Sequence, residues 1–483
     1  MTQIQNFIGG KFVDALQGAT LDLVDPSCGR VFGSLPESKT EDVDAAVQSA
    51  LAAFSEWSSL GPVHRASWLN KLADAIEANL TELALAESMD TGKPLSVART
   101  IDIPRAVSNF RFFAGAILHD TSEAYVDRPS VLNYTLRQPL GVVGCISPWN
   151  LPLYLFSWKI APALASGNCV VGKPSEVTPL TAFLLSKICA DIGFPDGVLN
   201  IVHGAGPSAG AALVAHPDVK AISFTGGTAT GKTIAKVASE SLKKVSLELG
   251  GKNPTIIFDD ADLEAASNAA IEAAFSNQGQ ICLCGSRILI QESVFERVKA
   301  KLVNGAQALT IGDPLDPETK IGAIVSRDHL DKILHHIEIA RQDGGRVLTG
   351  GVRVAQKGRC KNGFFLAPTL IDNLAATCTT NQDEIFGPVA TLIPFKTEGE
   401  AIQIANGTRY GLSASVWTKD LNTANRVSEA LSSGIVWVNC WMHRDLRTPF
   451  GGVKESGVGR EGGTYALRFF TEAKNVCIKT TSL

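Results

Sequence analysis

Charge is scarce in this chain, and none of it is massed. Acidic and basic residues fill 19% of 483 positions, below the ~25% usual for globular domains. The 44 basic and 48 acidic side chains leave a net charge of −4, and no run of Lys or Arg stands out. Nucleic acid and anionic membrane surfaces are therefore not expected as partners. A membrane-length apolar run is missing too. The most apolar stretch, Leu140 to Val171, is interrupted by Pro148, Asn150, Pro152, Lys159 and Pro162. A span needs ~20 mostly apolar residues, so this stretch reads as two buried strands with a turn and a helix. Met1 to Leu16 lacks the basic and apolar regions of a secretory signal. The ten cysteines are scattered, with only Cys282 and Cys284 close together. That is neither a disulfide framework nor zinc-ligand spacing, so no metal and a reducing cytoplasm are expected. No internal repeat or low-complexity segment is present.

What the chain does have is apolar residues, 45% of the total, arranged in alternation. Strands are expected at Val142 to Ser147, Cys169 to Gly172, Val198 to Val202, Val219 to Phe224 and Val245 to Leu249. Between them helices are expected at Phe156 to Ala165, Pro179 to Ile192, Pro207 to His216 and Thr230 to Lys243. Short β-rich runs alternating with helices predict an α/β fold, a parallel sheet covered on both faces. Ligands of such sheets bind beyond the carboxyl ends of the strands. Three segments immediately follow strands: Pro148 to Pro152, Lys173 to Glu176 and Thr225 to Gly231. After Gly250 a helix, Asp262 to Phe275, opens a second α/β alternation that runs to about Val438. His119 to Arg137 and Phe469 to Lys479 stand outside both patterns and are assigned to a small extra sheet.

Several residues in these places carry chemistry. Cys282 follows a helix in Asn277-Gln278-Gly279-Gln280-Ile281-Cys282; an accessible thiolate is a strong nucleophile, although a buried structural cysteine fits the same pattern. Glu248 lies in an apolar strand, where burial raises a carboxyl pKa toward that of a general base; an edge-strand glutamate facing solvent is the other reading. The Gly250-Gly251 pair after it lets another group approach the backbone closely. Asn150, stiffened between Pro148 and Pro152, offers an oriented amide suited to an oxyanion, or merely completes a turn. The Phe224 to Gly231 segment joins a strand to a helix whose N-terminus suits a diphosphate; alone it is also compatible with a plain turn. Lys173 and Glu176 both reach ribose hydroxyls, and a carboxylate there repels a 2′-phosphate; Glu176 also suits a helix N-terminus.

Together these segments resemble the aldehyde dehydrogenase superfamily over nearly the whole chain. The matching pieces are Pro148 to Pro152, Lys173 to Glu176, Phe224 to Gly231, Glu248 to Lys252, Gly279 to Cys282, Glu384-Ile385-Phe386-Gly387-Pro388 and Pro449-Phe450-Gly451-Gly452. The resemblance implies a Rossmann-like NAD-binding domain (1–118 and 139–248), an α/β catalytic domain (249–450) and a small β oligomerisation arm (119–138 and 463–483). It implies Cys282 as nucleophile, Glu248 as the base for deacylation, and Asn150 with the Cys282 backbone N–H as oxyanion hole. NAD is the implied cofactor. Lys173 and Glu176 would bind its adenosine ribose and Glu384 its nicotinamide ribose, with Phe386 near the nicotinamide. Ile146, Ser147, Pro148, Trp149, Gly206, Phe224, Gly226, Gly227, Gly231 and Leu249 complete the implied cofactor cleft. Gly227 stands where many members have Ser, and His329 where many have Gln.

Arg105 and Arg444 address the substrate. A guanidinium fork matches a carboxylate with two parallel bonds, although each is equally an ordinary arginine when taken alone. Their segments, with Ile281-Cys282-Leu283-Cys284, resemble the branch acting on 2-aminomuconate and 2-hydroxymuconate 6-semialdehydes, in the kynurenine route and in bacterial aromatic catabolism. A carboxylate-bearing semialdehyde, an NAD-dependent oxidation through a cysteine thioester, and a homodimer or homotetramer are the resulting expectations. The alternatives are a broad-specificity aldehyde dehydrogenase for retinal, betaine-type or aliphatic aldehydes and, from another class, a non-catalytic structural protein derived from the enzyme. Intact Cys282, Glu248 and Asn150 weigh against the second.

Overall fold

Proline and glycine set where the helices begin and end. The helix Pro152–Ala165 opens on a proline, whose fixed φ suits a first turn that needs no N–H donor. All of its residues are buried. It starts earlier than Phe156, the expected point, because Pro152 already holds helical geometry. The helix Leu80–Thr91 stops at Gly92 with φ 74°, a left-handed cap that costs glycine little. Leu263–Phe275 is capped by the Asp262 carboxylate, which accepts from the N–H groups of Glu264 and Ala265. The expected helix Pro207 to His216 is instead a widened turn, Gly206–Gly210, followed by the short helix Ala211–Ala215. Two glycines weaken regular helix there, and Glu37 accepts from the Ala205 N–H at 2.9 Å, holding the wide turn from outside.

The computed structural model describes residues 2–127 and 131–479. Residues 128–130 and 480–483 of the expected arm lie outside the described residues. Five parallel strands lie side by side in the order Leu199–Ile201, Cys169–Lys173, Val142–Ile146, Val219–Thr225, Lys244–Glu248. Antiparallel strands Asn6–Ile8 and Lys11–Val13 extend one edge, and Gly457–Val458 the other, giving eight. The chain winds outward from Val142–Ile146 in one direction and then resumes on its other side at Val219–Thr225. That reversal opens a crevice beyond the ends of those two strands, the ligand position in doubly wound sheets.

A seven-stranded sheet forms a second layer system from Pro254–Ile257, Arg287–Gln291, Arg346–Thr349, Thr369–Asp372, Val389–Phe395, Ser413–Trp417 and Ile435–Val438. Only Arg346–Thr349 runs antiparallel to its neighbour. A third, antiparallel sheet joins Ala124–Asp127, Val131–Pro139 and Thr471–Lys479. Gly463–Phe469 is helical, so the late segment enters this sheet at Thr471. No described helix is long and apolar enough to cross a membrane.

Candidate active site

The carboxyl ends of the first sheet meet loops that precede strands of the second. Between them is a cavity of about 200 Å³, lined by Pro148, Trp149 and Asn150, by Gly226, Gly227 and Leu249, and by Cys282, His329, Glu384 and Phe386. Residues scattered over about half the chain are thus brought to one wall.

Cys282 is presented by an unusual turn. After Leu263–Phe275 ends, Asn277, Gln278 and Gly279 all take left-handed backbone, with φ of 50°, 58° and 68°. Two non-glycine residues in that region cost about 1–3 kcal/mol each. Side chains hold them there: Gln278 donates to the Ala323 carbonyl at 3.3 Å and accepts from the Gly322 N–H at 3.3 Å. Asn277 donates to the carbonyls of Asn150 and Gln280 at 3.1 and 3.2 Å. Asn150 answers by donating Nδ2 to the Gln280 carbonyl at 2.9 Å. One amide hydrogen of Asn150 is thereby used to lock it to the cysteine loop, and the other is available to an oxyanion. Behind Asn150, the fully buried Lys93 donates to its carbonyl at 3.1 Å and pairs with Asp102.

The thiol of Cys282 is half-buried. Its pKa is pushed up by burial, then by the carboxylates of Glu384 and Glu248, with Arg444 opposing. Two acids and little solvent favour the neutral form here. Glu248 ends the strand Lys244–Glu248 and is 3% exposed; it does not face solvent. Both its oxygens lack a hydrogen-bond partner among the described residues, and burial, then Glu461, raises its carboxyl well above the ordinary value. It lies beneath Gly451, where a Cβ would fall 2.7 Å from Oε1.

The glycines of this region divide by cause. A Cβ on Gly250 would fall 2.2 Å from Glu384 Oε2, and Gly251 donates its N–H to Glu384 Oε1 at 2.9 Å, so the group approaching that pair is Glu384. Burial raises Glu384 to about 7. Gly226 and Gly231 are required by packing, since a Cβ would meet Phe224 and Leu249 at 2.4 Å. At Gly227 a Cβ meets nothing within 4 Å, leaving open space at the start of the helix Thr228–Ser239. Further along, Lys173 pairs with Glu176 at 2.8 Å, and Gly206 donates to Glu176 at 3.3 Å. Burial opposes ionisation of Glu176, but Lys173 together with the backbone N–H groups of Glu176 and Gly206 outweighs it, and the pKa falls below its ordinary value. Ile146 lies in register with Lys173, and the Ser147 N–H donates to the Lys173 carbonyl at 3.2 Å.

His329 joins Trp149 and Phe386 in an aromatic cluster, with centroids 5.1 Å and 5.2 Å from Trp149. Its Nε2 lies 2.7 Å from the Phe386 carbonyl; a carbonyl only accepts, so Nε2 carries the hydrogen. Burial lowers its pKa to about 4. Phe386 has φ of 61°, and this bond holds the strained residue in place. His329→Ala is expected to raise KM for NAD⁺ about five- to tenfold, the loss of one net hydrogen bond. His329→Gln, which can donate to the same carbonyl, should restore most of it in steady-state assays at saturating aldehyde.

Arg105 and Arg444 lie outside this cavity. They line a separate one of about 580 Å³ with Tyr154, Asn277, Ile281 and Trp441. The Ile281–Cys282 loop forms part of the wall of both. Neither arginine pairs with an acid among the described residues, whereas Arg111 on the same helix as Arg105 pairs with Asp74 and Glu77. Tyr154, Lys159 and Glu461 were not singled out by sequence reasoning. Lys159 is 1% exposed and pairs with Glu461 at 2.8 Å.

The profile of the aldehyde dehydrogenase family matches residues 12–476. The chain belongs to that family. A 2-aminomuconic semialdehyde dehydrogenase of Danio rerio is 49% identical, over 99% of this chain and 98% of that protein. A 2-hydroxymuconic semialdehyde dehydrogenase of Pseudomonas sp. (strain CF600) is 45% identical, over 99% and 100%. Among solved structures, the NAD⁺ complex of an aldehyde dehydrogenase from Bacillus cereus superposes with a TM-score of 0.97 at 41% identity, over 99% and 97%. The expected fold and enzyme class both hold for this aldehyde dehydrogenase.

Proposed function

We propose that the chain oxidises a carboxylate-bearing semialdehyde, of the 2-aminomuconate or 2-hydroxymuconate 6-semialdehyde kind, to the acid. The observation that carries this is two arginines, without acid partners among the described residues, in the cavity behind Cys282. A neutral substrate gains nothing from two such charges, while a carboxylate gains paired charge-assisted bonds. This weighs against the broad-specificity alternative.

NAD⁺, when bound, accepts the hydride. The residues present fit it: open space at Gly227, the Lys173–Glu176 pair for the adenosine ribose, and Glu384 with the aromatic cluster for the nicotinamide end. An ionised Glu176 repels a 2′-phosphate, which favours NAD⁺ over NADP⁺. In the reaction, the partly open Cys282 thiol gives its proton to a solvent water and the sulfur attacks the aldehyde carbon. The free Asn150 amide hydrogen and the Cys282 N–H steady the developing alkoxide. Loss of hydride from the thiohemiacetal leaves a thioester on Cys282, and Glu248 takes a proton from the water that cleaves it.

The reading further assigns 1–118 and 139–248 to cofactor binding, 249–450 to catalysis, and 119–138 with 463–483 to an oligomerisation arm in a cytoplasmic homodimer or homotetramer. The distribution of strands among four sheets, two large and two small, supports that division. Relatives named for aminomuconate semialdehyde favour the kynurenine route or related aromatic catabolism. Arg105→Ala and Arg444→Ala are each expected to raise KM for 2-hydroxymuconate 6-semialdehyde about tenfold or more, and KM for hexanal less than about twofold. Equal effects on both substrates reject the carboxylate site.

A further inference from the structure

Tyr154 sits in the first turn of Pro152–Ala165 and is only 4% exposed, yet it reaches the wall of the larger cavity. Its hydroxyl oxygen accepts from Arg105 Nε at 3.3 Å and from Arg444 Nη1 at 3.4 Å. A phenol oxygen offers two acceptor positions and one proton. The two guanidinium groups take both acceptor positions, and the proton has no acceptor among the described residues. A hydroxyl proton left without an acceptor at so buried a position carries a desolvation cost until a ligand accepts it.

We propose that Tyr154 is the third donor of the carboxylate site, its oxygen aligning both guanidinium groups and its hydroxyl hydrogen given to the substrate carboxylate. This rests on the carboxylate reading above. The phenol is well fixed for the task. Its backbone carbonyl accepts from Asn109 Nδ2 at 3.0 Å and from the Ser157 hydroxyl at 2.8 Å. The Arg105 guanidinium lies over its ring, 5.4 Å from the centroid. Arg444 is itself seated 3.9 Å above the Phe450 ring. Two positive charges converging on one hydroxyl repel each other, and the hydroxyl cannot cancel them. A carboxylate can, since it accepts from all three groups at once. Each guanidinium keeps further N–H donors for that purpose, because only one per arginine is spent on the phenol.

Tyr154→Phe keeps the ring and removes only the oxygen. It is expected to raise KM for 2-hydroxymuconate 6-semialdehyde about tenfold, the scale of one hydrogen bond to a charged group. kcat should stay within about twofold, and KM for hexanal should not move. Competitive inhibition of hexanal oxidation by glutarate should weaken by a similar factor, which provides a second measurement independent of semialdehyde turnover. On an Arg105→Ala background, Tyr154→Phe should add less than about twofold, because the groups act as one unit. A rise in KM equal for the semialdehyde and hexanal overturns the proposal and leaves Tyr154 a packing residue. An unchanged KM for the semialdehyde, with arginine variants that still discriminate, overturns the tyrosine donor alone. Arginine variants that fail to discriminate overturn both the donor and the carboxylate site it serves.

Discussion

Cys282→Ala is expected to remove turnover to the detection limit, a fall of about six orders of magnitude for loss of a nucleophile. At 1.36 kcal/mol per decade that is about 8 kcal/mol of barrier. The variant should still take up NAD⁺, because Lys173, Glu176, Glu384 and the Trp149–His329–Phe386 cluster do not depend on the sulfur. Quenching of Trp149 fluorescence on titration with NAD⁺ separates the two quantities. Retained NADH production at more than about 1% of the parent rate is incompatible with a thioester route. The thiol is held neutral by burial and by Glu384 and Glu248, so the pH dependence has a definite sense. The rate of NADH formation in the first turnover should climb as pH rises. A resident thiolate would instead give a flat profile through neutrality.

Glu248→Ala is expected to form NADH in a burst of about one equivalent per active site and then stall. Steady turnover should fall about 100- to 10,000-fold, the range for a general base. Rapid mixing reads the burst directly, and uniformly slow NADH formation without one contradicts the assignment. The variant is also expected to melt no lower than the parent. Neither Glu248 oxygen has a hydrogen-bond partner among the described residues, so truncation removes a buried polar group that makes no compensating bond there. The linkage has a matching sign. The folded-state pKa of Glu248 lies well above the ordinary 4.5; the folded protein binds that proton more tightly than the unfolded chain. Its contribution to stability is therefore largest at low pH and is lost as pH rises from about 4.5 through the folded-state value. Melting curves of parent and variant should converge as the pH falls.

Much of this arrangement is legible in the sequence because it is local. Strands ending at Ile146, Lys173 and Thr225 are marked by apolar runs that stop at Pro148, Pro174 and Gly226, and the functional loops follow at once. The Gly250-Gly251 pair announces a close approach, although only the fold reveals Glu384 as the group approaching. What stays hidden depends on distant pairing. Lys159 inside an otherwise apolar helix signals a buried charge needing an acid, but Glu461 lies far along the chain, and nothing near it points back. Tyr154 reads as one more apolar face residue until Arg105 and Arg444 converge on its oxygen from separate elements. The ionisation of Cys282 is illegible for the same reason: it is set by carboxylates delivered from two other segments, and local spacing cannot report them. The turn Gly206–Gly210 reads as regular helix in the sequence because Glu37, which holds it, sits far upstream.

The route of the last segment matters while the protein is being made. Gly457–Val458 closes the edge of the first sheet beside Lys244–Glu248, and Glu461 reaches under it to Lys159. On the ribosome the other strands of the first sheet can assemble early, but they must wait with an ammonium group in their interior until residue 461 has emerged. Leaving a buried ion unpaired costs about 3–5 kcal/mol, a large share of an ordinary domain's stability. Messages cut short before residue 461 should accordingly yield aggregates and degradation products, and not a folded protein lacking only its activity.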